Sequence, residues 1–466
     1  MKKILLVMIA FVAVSGGLYA QFVEDALRYL APNGTFGART GALGTSYYGI
    51  CDDNSALLFN PAGLALIAKS EFNFGFGFDK SNAQSTIKGI ETPLKSSDAY
   101  VTNMAMSSPF KSSAGNGSIA IAYNLETNFN RDYSIDFFNP GESFIQNNAK
   151  NGSPNSDNIA YYLWLCDSTM KTPIKDSLQQ SSIIKETGGI HSLAGGTGLD
   201  ISDVFSVGFS LICKFGDYNY NREFSEIDTK NIYKVNDEQN YTDLDFYKLD
   251  LNETISQSFF GVSAIVGLQA KISDFARAGF SIKLPTSYSI EEKYTQSAKV
   301  TYDDGSSRTP FETTGSNSYK ITTPFAITAG FSAHVVGVTL SAGFEYIDAS
   351  QLEFSEGPSE LNAINTQILK TLTGRSSIGI GAEYMIPNSY VIVRGSYNLS
   401  TSPYINSTQD IATYNLGVGL LLAPNLRLDA LVRLTETNDS IYYYGSDNAN
   451  LKVSPIMMQI GMTYRY

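Results

Sequence analysis

Three cysteines, two histidines and one tryptophan in 466 residues leave several kinds of chemistry with little to work with. Three cysteines cannot form an even disulfide framework. Cys213 falls on an apolar strand face, and Cys51 and Cys166 lie in separate irregular segments, so a Cys51–Cys166 bridge stays open. Basic residues are also short, 33 against 45 acidic ones, for a formal net charge of -12. An acidic surface argues against a nucleic-acid partner. Beyond residue 20 no apolar stretch approaches the roughly 20 residues that a membrane-spanning helix needs. That excludes a helical membrane protein.

The chain opens on a different signal. Lys2 and Lys3 form a positive n-region, Ile4 to Val14 an apolar core, and Gly16, Gly17 and Ala20 a small-residue end. Residues 1–20 therefore read as a secretory signal peptide cleaved before Gln21. With no cysteine at that point, lipoprotein processing is not expected. What the remainder has in quantity is Tyr 29, Phe 27 and Gly 39, a composition of strands and aromatic girdles.

Period-two patterns recur along the mature chain. At the C-terminus Ile456, Met458, Ile460, Met462, Tyr464 and Tyr466 share one face, while Gln459, Gly461, Thr463 and Arg465 fall on the other. Phe72, Phe74, Phe76 and Phe78 alternate with Glu71, Asn73, Gly75 and Gly77. Phe205 to Phe215, Val338 to Tyr346 and Leu426 to Leu434 repeat the arrangement. About 14 strands are predicted, near 71–79, 100–108, 117–126, 189–200, 204–216, 258–271, 274–285, 321–334, 337–348, 376–386, 389–399, 411–422, 426–436 and 455–466; an even number suits a closed antiparallel barrel. Tight turns such as Ile272-Ser273, Val335-Val336 and Pro387-Asn388 alternate with long polar connections at 80–99, 127–188, 217–257, 286–320, 349–375, 400–410 and 437–454. Outer-membrane barrels sort their connections this way, with short periplasmic turns and long extracellular loops. The fold expected is all-β, a transmembrane antiparallel β-barrel with both termini periplasmic, spanning 71–466.

Residues 21–70 precede the first strand and are too apolar for a disordered tail. Phe22, Ala26, Leu27, Tyr29 and Leu30 suggest a short helix. Ser55 to Phe59 reads as the start of a buried helix, broken at Asn60-Pro61 and followed by the apolar run Ala62 to Ile67. Irregular backbone cannot face lipid. The barrel lumen is the place left, and 21–70 is expected to be a hatch, or plug, inside it.

The stretch TFGARTGALGTSYYGICDDNSALLFNPAGLALI, Thr35 to Ile67, resembles the start of the FadL/TodX family of outer-membrane transporters for long-chain fatty acids and other hydrophobic compounds. Gly37-Ala38-Arg39, Gly41 to Gly44, Asp52-Asp53 and Asn60-Pro61-Ala62-Gly63 carry the likeness. Pro324 to Ser350, Ile378 to Tyr404 and Leu416 to Leu434 look like the family's paired strands. The resemblance implies a hatch whose Asn60, Pro61, Ala62 and Gly63 form the gating bend. It further implies passive uptake of a hydrophobic solute, with capture among the loops and sideways exit into the membrane. No cofactor and no metal is implied.

Candidate ligand contacts are Phe137, Phe138, Tyr161, Trp164 and Leu165, an apolar cluster in a polar loop; packing of that loop over the barrel mouth competes with this and is the favoured reading. Arg277, Lys283, Arg394, Arg427 and Arg433 fall on lumen-facing positions. Arg277 and Arg394 are taken as candidates for a ligand head group, against a salt-bridge lattice with Glu345, Glu383 and Asp429, which is favoured for most of the five. Asp52, Asp53 and Asn54 suit capping of the Ser55 helix better than a metal. Gly195 to Gly198 suits barrel packing better than a phosphate loop, lacking the strand-to-helix setting. His191 and His334 have no spaced serine motif to work with, so no enzyme is expected. The alternative is a barrel of the same broad superfamily that binds or shuttles exported protein cargo. Membrane lipid is an expected partner. The oligomeric state is open, with a monomer expected.

Overall fold

The computed structural model describes residues 23–30, 36–112, 114–233, 245–407, 409–435, 437–444 and 447–466. The signal-peptide reading of 1–20 lies outside them. Fourteen strands close an antiparallel barrel. They are β1 (Glu71–Ile87), β2 (Ile90–Ser112), β3 (Gly115–Asn128), β4 (Leu178–Asp200), β5 (Phe205–Ile227), β6 (Phe246–Ser273), β7 (Ala276–Lys283), β8 (Ala326–Val335), β9 (Val338–Asp348), β10 (Gly374–Met385), β11 (Val391–Ser400), β12 (Ile411–Ala423), β13 (Leu426–Thr435) and β14 (Asp447–Arg465). Each pairs with its sequence neighbour, and β14 closes on β1 with Tyr464 opposite Phe72 and Gly461 opposite Gly75.

One end of the barrel carries short turns. Val336 and Gly337 form a two-residue hairpin with φ of 49° and 79°, the left-handed pair that matches strand twist. The long connections gather at the other end, but much of what reads as loop is sheet. β1 and β2 run on to a tight turn at Lys88-Gly89. The segment Arg131–Asn139 pairs with the outer half of β4, Ser287–Tyr302 with the outer half of β6, and Phe311–Thr322 with Ser287–Tyr302. Pro285 and Pro324 fall in the gaps that separate these pieces from β7 and β8, because proline has no N–H for the ladder.

The sequence hid these extensions for a physical reason. Along β5, Phe209, Leu211 and Phe215 are exposed and even-numbered neighbours are buried; beyond Gly216 the apolar residues are instead the buried, even-numbered Tyr218 and Phe224. Along β6, Phe260, Val262, Val266 and Leu268 face outward, whereas Leu249 and Leu251 face inward. The apolar face changes sides where lipid ends. Inside the bilayer it meets acyl chains; beyond it, it must turn away from water. A search for one continuous apolar face stops at that crossing.

Beyond the crossing the strand extensions enclose an apolar cap with α4 (Phe144–Asn151) and α5 (Ile159–Tyr162). Before the barrel come α1 (Val23–Arg28), α2 (Gly37–Leu43), α3 (Ala56–Phe59) and a 3₁₀ turn at Pro61–Leu66, and α6 (Leu361–Thr371) lies later, between β9 and β10. The break expected at Asn60-Pro61 is there: Asn60 has extended backbone, and its side chain caps the 3₁₀ turn by accepting from the Ala62 N–H at 3.2 Å. The Cys51–Cys166 bridge is not formed. All three cysteines are free, and Cys51 and Cys166 belong to separate buried clusters, one in the N-terminal segment and one in the cap.

Candidate functional site

Residues 36–67 meet inward-facing positions around the barrel, and glycine makes the approach close. Gly198, Gly208 and Gly267 lie directly opposite one another on β4, β5 and β6. Gly279, Gly330, Gly343 and Gly379 do so on β7, β8, β9 and β10. A Cβ on Gly208 would stand 2.2 Å from the Pro61 carbonyl carbon, and one on Gly343 would stand 1.9 Å from the Thr45 carbonyl oxygen. No side chain fits there. Glycine inside a strand often marks where another backbone comes close. This signal was present in the sequence, in triplets such as Ala342-Gly343-Phe344 and Ile378-Gly379-Ile380, and reading the inward face merely as small or polar missed it.

The four residues expected to form the bend lie against this ladder. Asn60 Nδ2 donates to the Leu268 carbonyl at 3.1 Å. Gly63 is fixed by the chain itself, since a Cβ there would meet the Cys51 carbonyl oxygen at 1.8 Å. Ser281 Oγ donates to the Phe59 carbonyl at 2.7 Å. Pro61, Ala62 and Gly63 are all buried.

On the opposite side the contact is ionic. Arg39 pairs with Asp52 and Asp53, each at 2.6 Å, and with Glu383 on β10 at 3.0 Å. Glu383 also accepts from Arg394 on β11. Arg394 pairs with Asp429 on β13 at 2.6 Å, and Arg427 with the other Asp429 oxygen at 2.8 Å. Tyr48 donates to Glu345 at 2.6 Å, and Arg433 to the Gly41 carbonyl at 3.2 Å. The buried carboxylates of this network each have a guanidinium neighbour, as burial requires, whereas Arg433 is held by carbonyl oxygens, those of Gly41 and the Asn415 side chain. The capping expectation holds for Asp53, whose Oδ1 accepts from the Ser55 N–H at 3.0 Å and from the Tyr47 hydroxyl at 2.8 Å; its other oxygen and the Asp52 carboxylate pair with Arg39, which the expectation did not include. That partnership was out of reach of a reading that stopped at the neighbouring helix.

Above α3, toward the long-loop end, α1 sits among aromatics. The Tyr29 ring lies 5.1 Å from Phe259 and 5.0 Å from Tyr288, and its hydroxyl donates to Gln257 at 3.0 Å. The Arg28 guanidinium lies 3.6 Å over Tyr218. Leu361 and Ile368 of α6 pack into the same cluster.

The candidate ligand contacts are spread over three places. Phe137 and Leu165 are buried in the cap, and Tyr161 packs against them. Phe138 carries the Lys230 ammonium 3.9 Å over its ring, and Trp164, 57% exposed, has Arg308 at 4.2 Å. Arg277 points inward near the short-turn end, two residues from the β6–β7 turn. Arg394 is engaged by two carboxylates in the ionic network. The structure does not bring these seven side chains together. His191 faces outward, stacked between Tyr123 and Phe215, and His334 bonds Thr339 near a short turn. The glycines at 196 and 198 pack on Leu57 and Pro61.

No family model and no curated protein sequence matches the chain. Solved structures do. The Pseudomonas putida toluene transporter TodX superposes with a TM-score of 0.57 at 14% identity, over 93% of this chain and 99% of that one. A Pseudomonas aeruginosa FadL homologue gives 0.58 at 12% identity, with the same shares. The Ralstonia pickettii toluene transporter TbuX gives 0.52 at 13% identity, over 94% and 100%. From end to end, this chain has the fold of the FadL- and TodX-type outer-membrane channels.

Proposed function

We propose that this protein is an outer-membrane channel for uptake of hydrophobic small molecules, with residues 36–67 acting as a hatch. The observation that carries the reading is the end-to-end likeness in fold to toluene transporters and a FadL homologue. The one cargo those names print, toluene, is small and apolar, which favours a small solute over exported protein. The band of outward Phe, Leu, Ile and Val supports a place in a bilayer, and the sorting of turns supports short turns on the periplasmic side, with both ends of the mature chain there.

The route follows from the chemistry of an apolar solute, whose passage through a water-filled pore is opposed by its hydration. The aromatic cap collects it. The space between α1 and α3 receives it. A shift at Asn60-Pro61 lets it past, and it leaves sideways where the wall is weakest. The register break in β3 between Leu125 and Thr127 marks a candidate exit. The motion is passive, driven by the inward gradient.

Equilibrium binding of a labelled long-chain fatty acid and of toluene to detergent-purified protein tests this, with Asn60→Ala alongside. Saturable micromolar binding of either, altered by the substitution, is expected. Absence of saturable binding for both overturns the reading.

A further inference from the structure

On the outside of the barrel, the level at which lipid-facing residues give way to polar ones is not electrically uniform. On β1 the outward positions pass from Phe78 to Lys80 and Asn82. On β14 they pass from Ile456 to Ser454 and Lys452, and on β2 from Ala99 to Ser97 and Lys95. Register places Lys80 opposite Ser97, Asn82 between Lys95 and Ser454, and Gln84 opposite Lys452. Three lysines on three neighbouring strands therefore surround Asn82. The outer surface of the strands is concave there, an open hollow of about 270 Å³ lined by Asn82, Lys95, Lys452 and Ser454 among others.

Charge and depth point the same way. Elsewhere on the polar outward face lysines are matched by acids. Lys248 pairs with Asp250 and Lys320 with Glu356, each at 2.7 Å, and Lys185 lies opposite Asp132. Among the described residues no carboxylate lies within ion-pair distance of Lys80 or Lys95. Glu91, further out on β2, is taken by Gln84, which donates to it at 2.6 Å. In a chain of net charge -12 this is a local excess of positive charge. Its depth follows from the strand positions of Lys80 past Phe78 and of Lys95 past Ala99. At about 3.3 Å per residue and a tilt of about 45°, the two lie about 5–9 Å above the hydrocarbon. The headgroup layer of a bilayer is about 5–8 Å deep on each side. A lone lysine at that level lifts its ammonium into water. Three around one hollow, with an amide and a hydroxyl in its lining, present converging donors to one oxyanion.

We propose that Lys80, Lys95 and Lys452 seat the phosphate of a lipid headgroup on the outer face of the barrel. A lipid is the source, rather than free phosphate, because outward Phe76, Phe78 and Met458 continue directly below the hollow and offer its acyl chains an apolar wall. Basic clusters at a membrane surface attract anionic headgroups in this way. The seat spans the seam at which β14 closes on β1, so a bound lipid bridges the first and last strands from outside. The inference goes beyond the channel reading and shares with it only the placing of the barrel in a bilayer.

The test uses the full mature chain in an uncharged maltoside detergent, titrated with dioleoyl phosphatidic acid or with dioleoylglycerol and read by native mass spectrometry. The two probes share acyl chains and differ in the phosphate. Wild type is expected to bind phosphatidic acid about tenfold or more tighter, as several lysines near a headgroup allow. The combined Lys80→Gln, Lys95→Gln and Lys452→Gln variant should lose that preference, and the matching arginine variant should keep it. A control with Lys185→Gln, Lys248→Gln and Lys320→Gln removes the same charge from matched lysines and should leave the preference intact. Heat-modifiable gel mobility verifies that each variant is folded. Phosphatidic acid should also raise the temperature at which wild type loses that mobility, and inorganic phosphate at the same concentration should not. Equal affinities in wild type, an equal loss in the control variant, or equal protection by inorganic phosphate overturns the proposal. Toluene binding is measured on the same samples; its absence, with that of fatty acid, removes the channel reading and leaves the lipid seat standing.

Discussion

At the scale of single residues, burial sets what charge is worth. Glu383 serves two guanidiniums from different parts of the chain, and Asp429 serves two more contacts on the wall. Glu226 is the contrasting case. It lies on the part of β5 beyond the lipid-facing band, is 0% exposed and has no cation partner among the described residues. Its carboxyl accepts from the Phe144 and Ile145 N–H groups, Ser143 Oγ and Gln180 Nε2. Burial pushes its pKa up to about 7, and these donors only partly offset that. A carboxyl raised in the folded state gives its full stabilisation below the unfolded pKa and loses it as pH rises through the folded one. The cap around α4 should therefore weaken from about pH 4.5 to pH 7 and beyond, by about 3 kcal/mol at most. Hydrogen exchange of the 144–151 amides, corrected for intrinsic rates, should show less protection at pH 8 than at pH 5. Equal protection at both would show that the donors hold Glu226 ionised.

At the scale of elements, the wall and the N-terminal segment meet backbone to backbone. Gly343→Val places a side chain on the Thr45 carbonyl oxygen, where even a Cβ would come to 1.9 Å. Neither backbone can yield as a flexible side chain would, so displacement of residues 36–67 is the expected response, at about 1–3 kcal/mol. Limited proteolysis should cut the segment faster while the barrel keeps its heat-modifiable mobility. Gly395→Ala serves as control, because its nearest neighbours would be at an ordinary 3.5 Å; if both variants are cut alike, the ladder is not what seats the segment. The helix break at Asn60-Pro61 was legible from the proline alone. The ladder needed seven glycines on seven strands to be put in register, and register is a tertiary fact.

For the whole molecule, the level at which the apolar face changes sides defines the bilayer. Leu211 and Ser225 both point outward on β5, one before the crossing and one after it. Lysine at a lipid-facing position in mid-membrane costs about 2–4 kcal/mol, and near or beyond the interface about 0–1. Leu211→Lys should lower the folding free energy in lipid vesicles by the larger amount, and Ser225→Lys by little. Equal losses, read from guanidinium unfolding, would move the band outward and make the extensions membrane-embedded.

The strand count, the outward apolar face, the sorting of short and long connections and the Asn60-Pro61 break were all determined by the sequence itself, because each is read along the chain, from neighbours one or two positions apart or from the spacing between one strand pattern and the next. Arg39 with Glu383, Gly208 with Pro61, and Glu126 with Lys214 were decided only when the barrel closed. Their partners lie tens to hundreds of positions away, and any inward-facing lysine or glycine looks alike until the register says what stands opposite. The candidate ligand residues show the same limit. An aromatic run marks apolar surface in either role, and whether Phe137 and Leu165 face a solute or the cap's own core depends on the strands that turn over them.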